Sequence, residues 1–152
     1  MQRVLYIPFD QLHRGYGVLK CADKTNDLIV LVEGQSMLGG ADWHPERLFF
    51  LISSARHFAA ELREEGFNVR YLKAENTVVG LQQIKEEFPA ATFHAAGQSS
   101  YRLSRSLADF GVEFVENDFF LTPRALFASW AGSQKSYLME NFYRKQRVRL
   151  NV

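Results

Sequence analysis

Apolar residues follow two rhythms along this chain. Between Pro45 and Gly66 they recur at helical steps: Leu48, Leu51, Ile52, Ala55, Phe58, Ala59 and Leu62 fall on one stripe at about 100° per residue. Pro45 suits a first helical turn, Glu46 complements the positive helix end, and Gly66 is a ready C-cap. The opposite face carries Phe50, Ser54, His57 and Glu61. Elsewhere the apolar residues form short continuous runs. Val4 to Ile7, ended by Pro8, predicts a first buried strand, and Leu28 to Val32, followed by Glu33, predicts a second. Phe67–Leu72, Ala91–Ala95 and Val112–Val115 predict three more. Val78, Leu81, Ile84 and Phe88 space a helix stopped by Pro89, and Leu103 and Leu107 mark the inner side of a helix over Ser99–Phe110, capped by Gly111. Thr122-Pro123 reads as an N-cap with Pro at the first helical position. Its helix carries Leu126, Phe127 and Trp130, and a last helix is predicted over Gln134–Arg147.

Strands alternating with helices predict an α/β fold, a doubly wound five-stranded parallel sheet in the order 3-2-1-4-5 with the long helix packed on it. Ligands on such sheets sit beyond the carboxyl ends of the strands. Two loops leave those ends here, one starting at Pro8 and running to Asn26, the other from Gly34 to His44. A third follows Gly97. Asp10 and Glu33 stand just past adjacent strands and are the candidates for a ligand crevice, with Asp10 equally readable as a turn residue. With Gln11 and His44 they are predicted to line one pocket.

Composition narrows the chemistry. The chain has 152 residues, enough for a real core, with 47% hydrophobic and 23% charged residues and thirteen Phe. A net charge of +1 provides no global field for nucleic acid or an anionic membrane. Cys21 is the only cysteine, which excludes an internal disulfide and a cysteine-based metal or iron–sulfur site within this chain. No signal peptide or membrane-length apolar run is present, so a cytoplasmic protein is expected. No glycine-rich phosphate cradle follows a strand, and Gly39-Gly40 and Gly15-Tyr16-Gly17 read as turns. The four histidines lack metal-ligand spacing: His57 reads as surface and His94 as a packed strand residue. Ser99 and Ser100 read as helix caps rather than nucleophiles, and Arg144, Lys145, Arg147 and Arg149 as a solvated basic face. No catalytic machinery is visible.

Several segments nevertheless resemble the deoxyribodipyrimidine photolyase-related proteins, a bacterial branch of the photolyase/cryptochrome superfamily. Asp10-Gln11-Leu12 is similar to that family's D-Q-L. Ser54 to Leu62, with Gly66, Val69 and Tyr71, resembles its S-A-x-R-H-F-A-x-E-L block, one residue being dropped or shifted before Arg56. Trp130-Ala131-Gly132 and Met139 to Arg144 match its W-A and M-E-x-F-Y-R motifs. The resemblance implies a Rossmann-like N-terminal domain over residues 1–132. Residues 133–152 would begin a connection to a larger helical part that holds FAD and an iron–sulfur cluster. The parent would be a flavoprotein that repairs UV photoproducts in DNA by light, a lyase, or that signals as a cryptochrome. The absence of a stop signal at Arg149–Val152 fits an interrupted chain of this kind.

The implied role of this domain is to hold an antenna chromophore, commonly a ribityl-lumazine, and to pack on the flavin domain. Phe9, Asp10, Gln11, Leu12, Glu33, Met37, His44 and Leu48 would line that antenna site. The chain departs from the family there. Met37 stands for a glutamate, Gly40 for a tyrosine, Trp43-His44-Pro45-Glu46-Arg47 for an H-H-K-x-K approach, and Gly97-Gln98 for an E-P pair. Three readings follow: an antenna-binding domain, an empty scaffold, or an unrelated nucleotide-binding domain of similar fold. Missing flavin-domain cover also predicts an exposed apolar patch from some of Phe50, Phe119, Phe120, Phe142 and Tyr143, and hence self-association.

Overall fold

A computed structural model describes residues 3–40 and 43–152. In order, β1 is Arg3–Tyr6, β2 is Asp27–Gly34, α1 is Gln35–Gly39 and α2 is Pro45–Glu64. β3 is Asn68–Ala74, α3 Thr77–Glu87, β4 Thr92–Ala96, α4 Tyr101–Phe110, β5 Glu113–Val115, α5 Arg124–Gly132 and α6 Met139–Leu150. A short 3-10 helix, Gly17–Cys21, interrupts the first long loop. The five strands form one parallel sheet in the order β3-β2-β1-β4-β5, as the run of apolar segments predicts.

β2 shows why a fully apolar run is needed: every residue from Asp27 to Gly34 is buried. Leu28, Val30 and Val32 join Val4, Tyr6 and Phe93 on the face covered by Leu81 and Ile84 of α3 and Leu107 of α4. Ile29 and Leu31 join Ile7 and Val69 on the other face, against Ala55, Phe58, Ala59 and Leu62 of α2. Burying a side chain of this size stabilises by roughly 1.5–3 kcal/mol. The apolar stripe of α2 is not buried evenly. Its C-terminal half is closed against the sheet, while Leu48, Leu51 and Ile52 are half-buried.

Capping follows local chemistry. Asn76 accepts a hydrogen bond from Val79 N at 3.0 Å and Ser100 from Leu103 N at 3.3 Å. Gly66 and Gly111 take φ of +90° and +97°, ending α2 and α4 in conformations that side chains resist. Three boundaries differ from those predicted. Pro123, not Thr122, is the N-cap of α5, without a side-chain cap bond. α6 begins at Met139, not Gln134, and runs past Arg147 to Leu150. Residues Gln35–Gly39, read as loop, are helical.

The chain divides into two compact units, Met1–Asn117 and Asp118–Val152. The first contains the sheet and α1–α4. In the second, Phe127, Trp130 and Phe142 make an aromatic trio, with ring centroids 4.8–5.8 Å apart. Of the five aromatics expected at an exposed patch, Phe50, Phe120 and Tyr143 are exposed. Phe119 and Phe142 are half-buried. Phe50 belongs to the first unit and the other four to the second.

Candidate functional site

The carboxyl end of β2 carries the most elaborate polar arrangement of the first unit. Glu33 alternates with Ile29 and Leu31, so its side chain faces α2. It is not beyond the strand, as expected, but inside it and buried. Arg56 of α2 donates to both its oxygens, from Nη2 at 2.9 Å and 2.8 Å and from Nε at 3.1 Å. Tyr71 Oη of β3 donates to Oε2 at 2.7 Å, and Lys73 Nζ stands 3.9 Å from Oε1. The parallel register sets Leu31 against Tyr71 and Glu33 against Lys73, which brings both β3 side chains to this carboxylate. Burial works against the charge on Glu33. The Tyr71 hydroxyl and the Arg56 guanidinium outweigh it and hold the carboxyl below its ordinary value. The Tyr71 phenol is pushed up by burial and by the neighbouring carboxylate. Phe9 stacks on the same tyrosine ring at 6.2 Å.

The loop after β1 is tied to the loop after β4. Buried Gln11 donates to Gly97 O at 3.2 Å, and Asn117 Nδ2 donates to the same oxygen at 2.5 Å. Gln98 is buried and donates to Ala96 O. Asp10 is exposed. Its charge adds to burial in pushing the Tyr6 phenol up to about 12; the Tyr6 hydroxyl lies 3.5 Å from Thr77 Oγ1. Tyr6 packs on the α3 face of the sheet, whereas Glu33 is held on the α2 face. Among the described residues no hydrogen bond or ion pair joins Asp10 to Glu33.

His44 is the N-cap of α2 and accepts from Glu46 N at 3.3 Å, with most of its ring in solvent. Trp43 Nε1 donates to Met37 O at 2.9 Å, and Arg47 lies over the Trp43 ring at 4.4 Å. Met37 is exposed and Leu48 half-buried. Ala41 and Asp42, between them in the second loop, lie outside the described residues. Five of the eight expected site residues therefore fall into three local groups: Glu33 with Phe9 through Tyr71, Gln11 with the β4 loop, and Met37 with His44 along the approach to α2; Asp10, Leu12 and Leu48 join none of them. Arg56, Tyr71 and Lys73 are the functional neighbours that the sequence reading left without a role. Their signal is the alternation that sets Tyr71 and Lys73 on one face of β3, and the four-residue step from Ile52 to Arg56 at the edge of the α2 stripe.

The histidines behave as predicted: His57 is exposed, and His94 is half-buried with Nε2 2.8 Å from Thr92 Oγ1. Among the described residues no group of three or more His, Cys, Asp or Glu could hold a metal ion. No described helix is long and apolar enough to cross a membrane. An open groove of about 400 Å³ runs along the outer side of α2, between Leu12, Phe50, Ser54, His57, Phe58 and Glu61. Leu12 alone of the expected site residues reaches it.

Comparison with known proteins places this geometry. A family model described as deoxyribodipyrimidine photo-lyase-related protein matches residues 5–152. A (6-4) photolyase of Agrobacterium fabrum (strain C58 / ATCC 33970) is 30% identical over 159 residues, which cover 97% of this chain and 31% of that protein.

Proposed function

The chain belongs to the deoxyribodipyrimidine photo-lyase-related protein family, and from that premise we propose that it is the N-terminal α/β domain of a light-dependent DNA-repair flavoprotein. The observation that carries this reading is the match along residues 5–152, in order, to a family whose curated relative is about three times longer. In this reading residues 1–132 form the domain, and residues 133–152 begin the connection to a part that binds FAD. The parent works in the cytoplasm on UV photoproducts in DNA.

The domain's own role in this proposal is that of a scaffold rather than an antenna holder. A chromophore with a polar ribityl chain needs side chains that can exchange water for ligand. Glu33 is already saturated by Arg56 and Tyr71, and Gln11 and Gln98 are committed to backbone carbonyls. Met37 and Gly40 supply no charge or hydroxyl where the resemblance expects a glutamate and a tyrosine. The residues present do not fit a lumazine pocket.

The experiment is to express the complete reading frame containing this chain and purify the product in the dark. Flavin absorbance, with blue-light-dependent restoration of a UV-irradiated oligonucleotide, is the expected result. A colourless product, or one inert under light with reductant present, overturns the proposal.

A further inference from the structure

The outer face of α2 carries both an exposed aromatic knob and an apolar groove, independently of the repair reading above. Phe50 is 68% exposed and its neighbour Phe49 is 74% exposed, on a helix whose C-terminal half is closed against the sheet by Ala55, Phe58, Ala59 and Leu62. Leu12, Phe58 and Glu61 are among the residues that line the groove. Arg14 bridges Glu61 and Glu65 while its guanidinium lies 5.0 Å over the Phe58 ring. Residues Arg47, Phe50, Ser54, His57, Glu61 and Glu64 follow one another at alternating three- and four-residue steps, which keeps them on a single helical seam.

We propose that this seam is the two-fold contact of a homodimer, in which α2 packs antiparallel against α2 of a second copy. An isologous contact needs a self-complementary surface. Antiparallel pairing about the midpoint between Ser54 and His57 provides one. It sets Phe50 opposite Glu61, Ser54 opposite His57 and Arg47 opposite Glu64. Each Phe50 then enters the groove of the other copy, with the Arg14 guanidinium beside its ring. The small Ser54 lets the helix axes approach. Charge on the seam itself agrees with the register: Arg47 stands near the start of α2 and Glu64 at its end. Antiparallel helices also oppose their macrodipoles favourably.

The test is sedimentation equilibrium of the purified 152-residue chain across a concentration series. The wild type is expected to show a reversible monomer–dimer equilibrium. Phe50→Glu removes the aromatic ring that fills the groove and puts a hydrated carboxylate on its apolar lining, which should abolish the dimer, with circular dichroism unchanged because the residue is exposed. Arg47→Glu should weaken association by about tenfold, since the two-fold repeats each lost pair. Adding Glu64→Arg to it should restore the dimer. A wild type that stays monomeric at the highest soluble concentration overturns the proposal. So does a dimer indifferent to Phe50→Glu, which would use other apolar surface. A dimer lost in Phe50→Glu, but whose weakening by Arg47→Glu is not reversed by adding Glu64→Arg, overturns the antiparallel register.

Discussion

The two units of this chain solve the burial problem in different ways. In Met1–Asn117 a parallel sheet is covered on both faces, and β2 is closed from end to end. In Asp118–Val152 only Trp130 and Gln146 are buried, and Phe120, Leu121, Phe127, Tyr137, Leu138, Met139 and Tyr143 are exposed. Their charge differs as well. Residues 1–117 hold fifteen acidic against twelve basic residues, and residues 118–152 hold two against six. A stretch of 35 residues is too short to bury a core of its own. The lesson is that apolar content alone does not make a core. Layers do, because each face of a sheet gives a helix something to cover.

That contrast can be broken at its strongest point first. Leu31→Ala removes a fully buried side chain between β2 and α2 and should cost about 2–5 kcal/mol. Phe142→Ala, at a half-buried ring of the second unit, should leave the urea midpoint of the sheet unit unchanged. Equal shifts in the two variants would show a single cooperative unit instead.

Next in size is the carboxylate at the end of β2. Glu33→Gln should cost roughly 2 kcal/mol, since hydrogen bonds to charged groups are worth about 1.5–3 kcal/mol and Arg56 is half exposed to solvent. The sign with pH follows from the lowered carboxyl. Its folded value lies below the ordinary 4.5, so its stabilisation is complete above that pH and is lost as pH falls through the folded value. The variant should therefore differ from wild type above pH 4.5 and converge with it in acid, in denaturation measured across pH. A constant difference would mean that charge is not what holds α2 to the strand end.

Two glycines sharpen the comparison most finely. A Cβ on Gly80 of α3 would stand 2.7 Å from Val32 Cγ1, so Gly80→Ala should cost about 1–3 kcal/mol despite its gain in helix propensity. A Cβ on Gly132 of α5 meets nothing within 4 Å, so Gly132→Ala should be neutral or stabilise by up to about 1 kcal/mol. Thermal melts of both variants check the pair. A neutral Gly80→Ala would show that α3 can shift away from β2.

Much of this was legible in the residues. The apolar runs and the crossover rule predict the strand order, and the long helix stands where its stripe places it. Ser100 caps its helix because the serine precedes the first apolar step. Phe50 is exposed because it lies off that stripe. The site was less legible. Glu33 reads as a loop residue because an acidic side chain ends an apolar run, yet Arg56 and Tyr71 neutralise it and the strand continues through it to Gly34. Such pairing depends on strand register and on which face a helix covers, and local sequence specifies neither. The start of α6 was displaced because Gln134–Leu138 is polar enough to extend a helical pattern, but its backbone turns before Leu138 caps the helix.

The proposed scaffold role rests on Glu33, Gln11 and Gln98 at the strand carboxyl ends being already hydrogen-bonded within the chain. It is tested most directly by titrating a ribityl-lumazine into the purified chain and following the lumazine fluorescence. No saturable change is predicted, either for the wild type or for Asp10→Asn. Stoichiometric, saturable quenching that Asp10→Asn or Glu33→Gln abolishes would contradict it and restore an antenna site at the ends of β1 and β2.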